Sequence, residues 1–594
     1  MTKSYDILLG VVTRVTWHAG NWKKGGPMAD ELAQLVIHSG VVPGIGLAAD
    51  IDAAHCDGRP SAVAVRDGRI IAIGDEDLLR LAGPETTVID ARGGAILPGL
   101  NDGHLHFSAS AMIRHAHLSV ATAANWTEVA KLLDTAKPDA SGWIRAASWD
   151  EVRLGSVDSE LLLEANSRWP VVAFDTTGHQ LLVNAVGLKI LGLERIDEPV
   201  PGGVIGRLAD GSPSGLFGDA AMQLVNDGLP SFTEDQLRTA FIKHQQELHS
   251  LGITSLTEPG LGPGGRTLMA ASCGTQSLEI LADLAHEGLL SLRLNCLLLF
   301  SGTGGESLAA VRSGLAGDLP TIAKGIDPLR LRIAGVKVFA DGIPRSGTSW
   351  FHDEYQLPCG HGHGALVLRG NSDAEKVAEF RQIISEIDAA GLQAGVHVTG
   401  DAATEALIEA VEQLDVEAGP RGNRHYIIHG AFRDPELLDR VQRAGMGYST
   451  NPKIRAEAGT LIRRLLGPDR FTMQQPLATA ALRGVAASLA SDAPVTNPDW
   501  RNSIISAVTR DTSAGPGADD SERISLAQAL AMMTQTPAWQ DHAEQDKGSI
   551  KVGQVADFCI LRDPLSTDIQ QLAQNPTTHT IVDGDVVYRL NSLN

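Results

Sequence analysis

Three His-x-His pairs in the chain carry side chains that could bind a metal ion: His104/His106, His115/His117 and His361/His363. The first pair follows the apolar residues 95–97 and the helix-breaking segment PGLNDG, so it lies at the end of a predicted strand. Side chains two residues apart on a strand point to the same face, which lets His104 and His106 hold one ion together. The sequence therefore favours this pair as part of a metal site.

The other two pairs have less favourable surroundings. His115 and His117 follow FSASAMIR, which is typical of a helix, and side chains at i and i+2 of a helix do not face each other. A role outside metal binding is therefore favoured for that pair. His361 and His363 stand among glycines in CGHGHGAL, which indicates a solvated loop, with a position at the mouth of a pocket as the alternative.

Four further residues with suitable chemistry occur inside or at the end of apolar runs: Lys337, His397, His429 and Asp492. Lys337 lies within IAGVKVFA, where a bare ammonium group is costly to bury. Each residue alone has an ordinary explanation, such as a hydrogen-bonded core histidine, a helix-capping aspartate or a lysine that reaches solvent. Their joint occurrence at successive strand ends is hard to assign to chance and indicates one shared site.

Short apolar runs alternate with amphipathic, alanine-rich stretches from about residue 95 to 540. This alternation predicts parallel strands joined by helices. Eight runs have the composition of strands: 94–106, 252–260, 293–300, 331–342, 392–401, 425–431, 445–452 and 485–495. Eight such units favour an α/β fold built on a (β/α)8 TIM barrel, whose active site lies at the C-terminal ends of the strands.

The two ends of the chain are predicted to form a small composite β-sandwich. Hairpins are expected in SAVAVRDGRIIAIGDEDLL, turning at Asp67-Gly68, in TTVIDARGGAILPG, in KGSIKVGQVADFCILR, and in HTIVDGDVVYRL, turning at Asp583-Gly584. Met28 is an alternative start of the protein. The predicted domains are an N-terminal extension 1–27, the N-terminal half of the β-sandwich 28–97, the barrel 98–540 with an insertion near the active site at about 115–235, and the C-terminal half of the β-sandwich 541–594.

Composition narrows the classes of protein further. The 594 residues are 43% hydrophobic and 20% charged, and a formal net charge of −22 argues against nucleic acid or an anionic membrane as a partner. No apolar run approaches the ~20 residues of a membrane-spanning helix, and no secretory leader is evident. Five scattered cysteines without a C-x-x-C pair argue against a disulfide framework or a zinc ribbon, which favours a cytoplasmic location.

Several motifs resemble those of a known superfamily. LPGLNDGHLHF, GVKVFADGIPRSGTSW, GLQAGVHVTGDAATEALIEA and ASDAPV are similar to the first-, fourth-, fifth- and eighth-strand segments of the amidohydrolase superfamily. KGSIKVGQVADFCIL resembles its C-terminal sandwich. The resemblance runs from about residue 34 to the end and points to the branch around YtcJ-like proteins and N-substituted formamide deformylase. Two departures bear on the substrate: Ile428 replaces an acid before His429, and STNPKI at 449–454 replaces a Gln-Pro segment.

The resemblance implies one or two divalent metal ions, with Zn2+ favoured over iron or manganese. One ion would be held by the first-strand histidines and the eighth-strand aspartate, and the other by the histidines of the fifth and sixth strands. Lys337 would bridge the ions if carbon dioxide carboxylated its amine, which would also account for its burial. A mononuclear site is the alternative. The implied ligands are His104, His106, Lys337, His397, His429 and Asp492.

The resemblance also implies a reaction in which Asp492 and Lys337 are the catalytic residues. Bound to the metal, water would ionise near neutral pH, because its pKa falls from ~15.7 towards ~7, and the hydroxide would attack a carbonyl carbon. Asp492 would accept the proton as general base and pass it to the leaving amine as general acid. The expected function is hydrolysis of a non-peptide C–N bond in a small amide, such as an N-formyl or N-acyl compound. A homodimer is a family-level expectation.

Other functions stay open as alternatives. Deamination, or hydrolysis of a carbamate, ester or lactone, would use the same kind of site. GLGPGG at 260–265 is a G-x-G-x-x-G that would suggest an NAD-dependent dehydrogenase with Glu279 or Asp283 at the ribose, although that function explains none of the histidines. A metal-free binding or regulatory protein on the same barrel is the remaining alternative, which metal analysis would decide.

Substrate specificity is expected to come from the insertion and from loops around the site. Arg345 could bind a substrate carboxylate, with a surface ion pair as the alternative. For every residue proposed here, packing in the core or at the surface is an equally good explanation. The residues expected to line the pocket are Trp149, His179, Asn184, Asp219, Arg345, Trp350, Tyr355 and Asn451.

Overall fold

A computed structural model describes residues 32–46 and 61–591, except 177, 179, 197, 201–202, 220, 267, 269–272, 303–304, 357–361, 420–421 and 517–519. The predicted N-terminal extension 1–27 lies outside the described residues. Within the described part of the chain, every helix is too short or too polar to cross a membrane.

The N-terminal residues form a four-stranded sheet. Its strands are β1 (Leu35–Gly40), β2 (Ser61–Arg66), β3 (Arg69–Gly74) and β4 (Thr87–Asp90), in the order β3-β2-β1-β4. β2 and β3 form the first predicted hairpin, and Asp67 and Gly68 have the positive φ values, 50° and 71°, that its two-residue turn requires. The second predicted hairpin is wrong, because β4 pairs in parallel with β1 while the next strand, β5 (Ile96–Pro98), joins a different sheet.

The first predicted barrel strand, 94–106, divides between two sheets. β5 ends at Pro98, and β6 (Leu100–Asp102) begins the barrel two residues later. A Cβ at Gly99 would meet Oγ1 of Thr254 at 2.2 Å, so glycine lets the chain pass closely between the sheets at this point. The predicted helix α1 (Phe107–His115) follows directly.

The insertion contains a six-stranded sheet. β7 (Leu118–Ser119), β8 (Ile144–Trp149), β9 (Val171–Asp175), β10 (Gln180–Val183), β11 (Gly203–Arg207) and β12 (Pro213–Asp219) lie in the order β11-β12-β10-β9-β8-β7. Its helices are α2 (Trp126–Thr135), α3 (Glu151–Leu154), α4 (Ser159–Glu164), α5 (Ala185–Leu191) and α6 (Met222–Asn226). Alternate residues of β9 enter two cores, Val171 and Ala173 on one face and Val172 and Phe174 on the other, so both faces of this sheet are covered.

The remaining strands complete a nearly closed parallel barrel, which confirms the predicted fold class. After α7 (Glu234–Ser250) come β13 (Ile253–Leu261), β14 (Arg293–Leu298), β15 (Leu331–Phe339), β16 (Gln393–Val398), β17 (Tyr426–His429), β18 (Gly447–Thr450) and β19 (Ala486–Leu489). With β6 they form one sheet in chain order. Backbone hydrogen bonds from Gly103 to Leu489 and from Asp492 to His104 link its first and last strands.

Helices surround the barrel and bury their apolar faces against it. Leu281, Ile384, Leu407 and Leu438 share one core with strand residues such as Val396. The helices are α8 (Gly274–His286), α9 (Leu308–Leu315), α10 (Asp373–Ala389), α11 (Asp401–Ala418), α12 (Glu436–Arg443), α13 (Pro452–Leu466), α14 (Pro468–Thr472), α15 (Ala478–Leu482), α16 (Trp500–Thr509), α17 (Leu526–Ala531) and α18 (Gln535–Gln540).

The C-terminal residues form a second small sheet. β20 (Phe558–Leu561), β21 (Thr577–Val582) and β22 (Asp585–Arg589) join β5 in the order β22-β21-β20-β5. Asp583 and Gly584 turn between β21 and β22 as predicted, whereas KGSIKVGQVADFCILR supplies the single strand β20 and not a hairpin. Leu35 and Val63 from the first small sheet pack with Phe558 and Ile581 from the second, so both ends of the chain share one core.

Candidate metal centre

The side chains predicted to bind metal gather at one end of the barrel. They lie in or directly after β6, β15, β16, β17 and β19, whose parallel register brings the strand ends level. Two of them, His429 and Asp492, have φ values of 72° and 56°, which residues with a Cβ rarely adopt. Such backbone conformations are typical of sites where a side chain must be aimed. The six residues are His104, His106, Lys337, His397, His429 and Asp492.

Asp492 lies against both histidines of the first strand. Its Oδ1 is 3.3 Å from Nε2 of His104 and 3.3 Å from Nε2 of His106. His104 is almost fully buried, yet neither of its ring nitrogens has a hydrogen-bond partner among the described residues. Buried polar atoms are normally paired, so this arrangement fits nitrogen and oxygen donors that surround a cation.

The other two histidines are held by their outer nitrogens. Nδ1 of His429 donates to Oδ1 of Asn451 at 2.7 Å, and Nε2 of His397 donates to the carbonyl of Gly342 at 3.0 Å. The two rings face each other with centroids 4.6 Å apart. His429 also approaches His104, and His104, His429 and Asp492 can each offer a ligand atom within 4.8 Å of the others. These hydrogen bonds leave one nitrogen of each ring directed to the shared space.

Burial sets the charge of these groups. It lowers the pKa of His104 and of His397 well below the usual value, and it lowers the pKa of His429 to about 4. Burial alone would raise the pKa of Asp492, but His104 and His106 outweigh it and hold that pKa well below its usual range. Neutral imidazoles beside an ionised carboxylate are the protonation states that bind metal.

Lys337 lies inside the same group of side chains. It is 1% exposed, and its Nζ lies 4.7 Å from the centre of the Phe339 ring. Burial lowers the pKa of its amine to about 7, although the negative charges of Asp492 and Glu258 oppose the shift. A large fraction of the amine is therefore neutral near pH 7, and the neutral form is the one that can react with carbon dioxide.

Two buried acids beside the site were missed by the sequence reasoning. Glu258 lies in β13, with Oε1 3.9 Å from Nδ1 of His106, and Asp102 accepts the backbone N–H groups of His104 and Ser491 at 3.2 and 3.1 Å. Asp102 thereby ties the first strand of the barrel to the last. The available signal was an acid within or directly after an apolar strand, as in SLTEPG and GLNDG.

The predicted pocket residues are distributed more widely than the metal-binding ones. Asn184 is a structural residue, because its amide caps α5 and donates to the carbonyls of Ala165, Asn166 and Trp169. Trp149 is buried in a core of the insertion and donates to Ala173 O, so packing in the core explains this residue.

Of the remaining pocket candidates, Asn451 is the one in contact with a predicted ligand, His429. Tyr355 is buried and donates to Ser349 O, half-buried Trp350 donates its backbone N–H to Asp341, and Arg345 is exposed in a 3-10 turn. Asp219 is the last residue of β12, and His179 lies outside the described residues.

A second group of potential ligands joins α1 to α7. His115 Nε2 and His244 Nδ1 lie 3.1 and 3.2 Å from the same oxygen of Glu247. Arg114 also donates to Glu247 through Nε and Nη2. Because the arginine already compensates the carboxylate charge, this group is better explained as an ion-pair network between two helices, in line with the role outside metal binding predicted for His115.

The glycine-rich segment 260–265 lacks the context of a dinucleotide-binding turn. That motif opens a helix directly after its strand, whereas α8 begins only at Gly274. The sheet is also a barrel and not an open doubly wound sheet. The fold thus gives no support to the dehydrogenase alternative.

Comparison with known proteins agrees with the motifs. Residues 87–588 match a family model described as the amidohydrolase family. The putative amidohydrolase YtcJ of Bacillus subtilis (strain 168) is 26% identical over 549 residues, which cover 89% of this chain and 96% of that protein. The N-substituted formamide deformylase of Arthrobacter pascens is 23% identical over 542 residues, covering 89% and 94%.

The fold also recurs among solved structures. An uncharacterized metal-dependent hydrolase from Pyrococcus horikoshii OT3 superposes with a TM-score of 0.69 at 19% identity, covering 89% of this chain and 97% of that one. This likeness concerns the fold, whereas the family match and the relatives confirm the resemblance that the sequence motifs indicated.

Proposed function

The chain belongs to the amidohydrolase family, and we propose that it is a metal-dependent hydrolase that cleaves a non-peptide C–N bond in a small amide. The observation that carries the proposal is the position of Asp492, one oxygen of which lies 3.3 Å from Nε2 of both His104 and His106. Two buried imidazoles that converge on one carboxylate oxygen, with neither ring nitrogen of His104 hydrogen-bonded among the described residues, are the arrangement expected of ligands around a cation.

The donor set suits one or two divalent ions. The first would be held by the histidines after β6 together with Asp492, and the second by His397 and His429, with carboxylated Lys337 between the two. Imidazole nitrogens with carboxylate oxygens favour zinc among the common metals. The outer hydrogen bonds from His429 to Asn451 and from His397 to Gly342 fix the tautomers that leave one free nitrogen on each of these two rings for the second ion.

Asp492 has the position and charge for proton transfer. When bound, the metal would polarise the substrate carbonyl and acidify water near neutral pH. The Asp492 carboxylate accepts the proton of the attacking water and then donates it to the nitrogen of the leaving amine. An amide needs this second transfer, because an amine leaves poorly without a proton.

The substrate class draws support from a relative and from the pocket. The aligned A. pascens protein is named as an N-substituted formamide deformylase, and its alignment spans 89% of this chain. N-formyl and N-acyl compounds are therefore the first substrates to test. Where an acid commonly precedes the sixth-strand histidine, Ile428 packs in a small apolar cluster with Leu297, Ala334 and Tyr426, so the position next to His429 carries no charge.

The test is metal analysis combined with a substrate screen. The purified protein should contain about one to two equivalents of a transition metal, lose activity with a chelator and regain it with the metal. Asp492→Asn should retain metal but lose hydrolysis of N-formyl, N-acyl and carbamate compounds. Asp511→Asn, at an exposed aspartate, is the matched control. Turnover by metal-free protein would overturn the proposal, and release of ammonia from a nucleobase would support deamination instead.

A further inference from the structure

A cavity of about 280 Å³ lies between the insertion and the barrel. Its walls come from β8, the segment between α6 and α7, the loop after β13 and the start of α8. Gly262 and Pro263 follow the C-terminal end of β13, so the cavity lies at the same end of the barrel as the metal centre. The space exceeds the ~30 Å³ of one water by several fold and admits a small organic ion.

The charge of the cavity is opposite to that of the protein. Arg145 and Arg266 line it, and none of its described lining residues is acidic. Asp139 pairs with Arg145 but does not line this partly open space, so in a chain of net charge −22 the remaining donor of Arg145 and the charge of Arg266 favour a negatively charged occupant.

Two of the three nitrogens of the Arg145 guanidinium group, Nε and Nη2, donate hydrogen bonds to the protein. Its side chain is 5% exposed, its Nε donates to Asp139 at 3.0 Å, and its Nη2 donates to the carbonyl of Pro230. The guanidinium also lies 4.1 Å above the Phe232 ring. No described residue accepts from Nη1, so this buried charge is rigid and still has a hydrogen bond to give.

The start of α8 adds further donors to the same wall. The first N–H groups of a helix have no carbonyl acceptor within the helix, and the first-turn residues Thr275 and Gln276 line the cavity. Gly274 allows this arrangement, because a Cβ on it would meet the carbonyl oxygen of Gly262 at 2.4 Å. The glycine-rich loop thus packs closely against the helix start and closes one side of the cavity.

We propose that this cavity binds a small oxyanion, the carboxylate or phosphate group of a small molecule, between Arg145 and Arg266 at the amino end of α8. Arg145 supplies a fixed, desolvated charge. Arg266 is exposed and closes over the anion from the rim of the cavity. The proposal concerns binding alone and does not depend on the reaction proposed for the metal centre.

Isothermal titration calorimetry of the full-length protein with inorganic phosphate and with succinate tests the site. One equivalent of at least one anion should bind saturably. Arg266→Gln and Arg145→Lys should each weaken that binding about tenfold, because each removes a charge-assisted hydrogen bond. The Arg145→Lys variant keeps the positive charge beside Asp139 but loses the additional donor nitrogens of the guanidinium group. Arg464→Gln, at an exposed arginine on α13, is the control and should leave binding unchanged.

The two probes and the two variants separate the outcomes. Tighter binding of phosphate identifies a phosphate ligand, and tighter binding of succinate identifies a carboxylate. If the anion binds at the metal centre, neither substitution will change its affinity, and that result overturns the proposal. The absence of saturable binding also overturns it. If Arg145→Lys fails to fold, as judged by its circular dichroism melt, the exposed Arg266→Gln decides the question alone.

Discussion

Glu258 Oε1 lies 3.9 Å from Nδ1 of His106, on the side of the imidazole ring away from Asp492. The other oxygen of Glu258 accepts the backbone N–H of Ser108 at 2.8 Å, so the glutamate is tied to the segment that carries His106. Both side chains are buried, and Nδ1 of His106 has no hydrogen-bond partner among the described residues. We infer that the carboxylate favours the tautomer with its proton on Nδ1, which leaves Nε2 as the ligand atom.

Replacement of Glu258 by Gln should therefore weaken metal binding with little effect on folding. Gln keeps an oxygen for the Ser108 N–H but removes the negative charge beside His106. Loss of such an outer partner typically costs about 10- to 100-fold in metal affinity, which competition with a chromogenic chelator measures. Glu522→Gln, at another buried glutamate that accepts a backbone N–H, from Thr479, should retain full affinity. Equal affinity in the two variants would contradict the orienting role.

Metal uptake should depend on pH and on bicarbonate through Lys337. The pKa of its amine is lowered to about 7, so the neutral, reactive fraction grows as the pH rises through 7 and shrinks below it. Metal-free protein should regain two ions more completely at pH 8 with bicarbonate than at pH 6 or without bicarbonate. Lys337→Arg should abolish the bicarbonate effect. If metal uptake is independent of bicarbonate at both pH values, Lys337 is not carboxylated.

The sequence predicted the parts of the molecule that leave a periodic or local signal. Each of the eight predicted runs contains a barrel strand, although the first run is divided between β5 and the short, partly polar β6. The Asp-Gly turns were found because the dipeptide itself favours the turn. Residues 87–98 failed as a hairpin for the opposite reason: the two strands have hairpin composition, but their partners, β1 and β20, are distant in sequence. Long-range pairing of this kind leaves no mark on the local pattern.

In the site, too, residues with a local sequence signal were predictable and those that depend on tertiary contacts were not. The residues proposed as ligands could be named because they occupy strand ends and known motifs. Asn451 was expected to contact substrate, yet it accepts from His429 and donates to Ala490 O, a role that depends on how β17 and β19 flank it. Asn184 resembled a pocket residue and is a helix cap. The role of a polar side chain with several plausible partners depends on the tertiary structure, so the sequence alone does not assign it.

His117 should make the protein less stable as the pH falls from about 6.5 towards 4. Its Nδ1 donates to Met112 O at 2.8 Å, and burial lowers its pKa from 6.5 to about 4. Over this range the unfolded chain binds a proton that the folded protein does not, so the free energy of unfolding falls with pH, by about 3 kcal/mol at pH 4. Above pH 6.5 the effect vanishes because both states are neutral.

Melting temperatures measured across this range, in the absence of metal, provide the check. His117→Phe removes the titrating group but keeps an aromatic ring between Phe174 and Phe232, so its melting temperature should decline less steeply with acidification. His286→Gln, at an exposed histidine, should follow the wild-type curve. Parallel curves for all three proteins would show that His117 does not contribute to the acid sensitivity.

The attachment of the sandwich to the barrel should depend strongly on the buried ion pair between Arg293 and Asp557. Arg293, at the start of β14, donates through Nε and Nη2 to the two oxygens of Asp557 at 2.7 and 2.9 Å, and both side chains are less than a tenth exposed. Arg293 outweighs the effect of burial and lowers the pKa of Asp557, so the pair is charged at neutral pH. Asp557→Asn would remove the more buried of the two carboxylates that face Arg293, the other being the partly exposed Asp583, so its cost should approach the about 3–5 kcal/mol typical of a broken buried pair.

An exposed pair in the same region supplies the comparison. Arg69 lies 3.2 Å from Asp546, and both side chains are 40% exposed or more, so Asp546→Asn should cost at most about 1 kcal/mol. Thermal melts of the two variants should therefore separate clearly, with Asp557→Asn the lower. Because Asp557 lies just before β20 and β14 belongs to the barrel, limited proteolysis of Asp557→Asn should also release the C-terminal strands first. Equal melting temperatures would mean that apolar packing of residues such as Cys559 and Leu561 in the barrel core, and not the ion pair, holds the sandwich to the barrel.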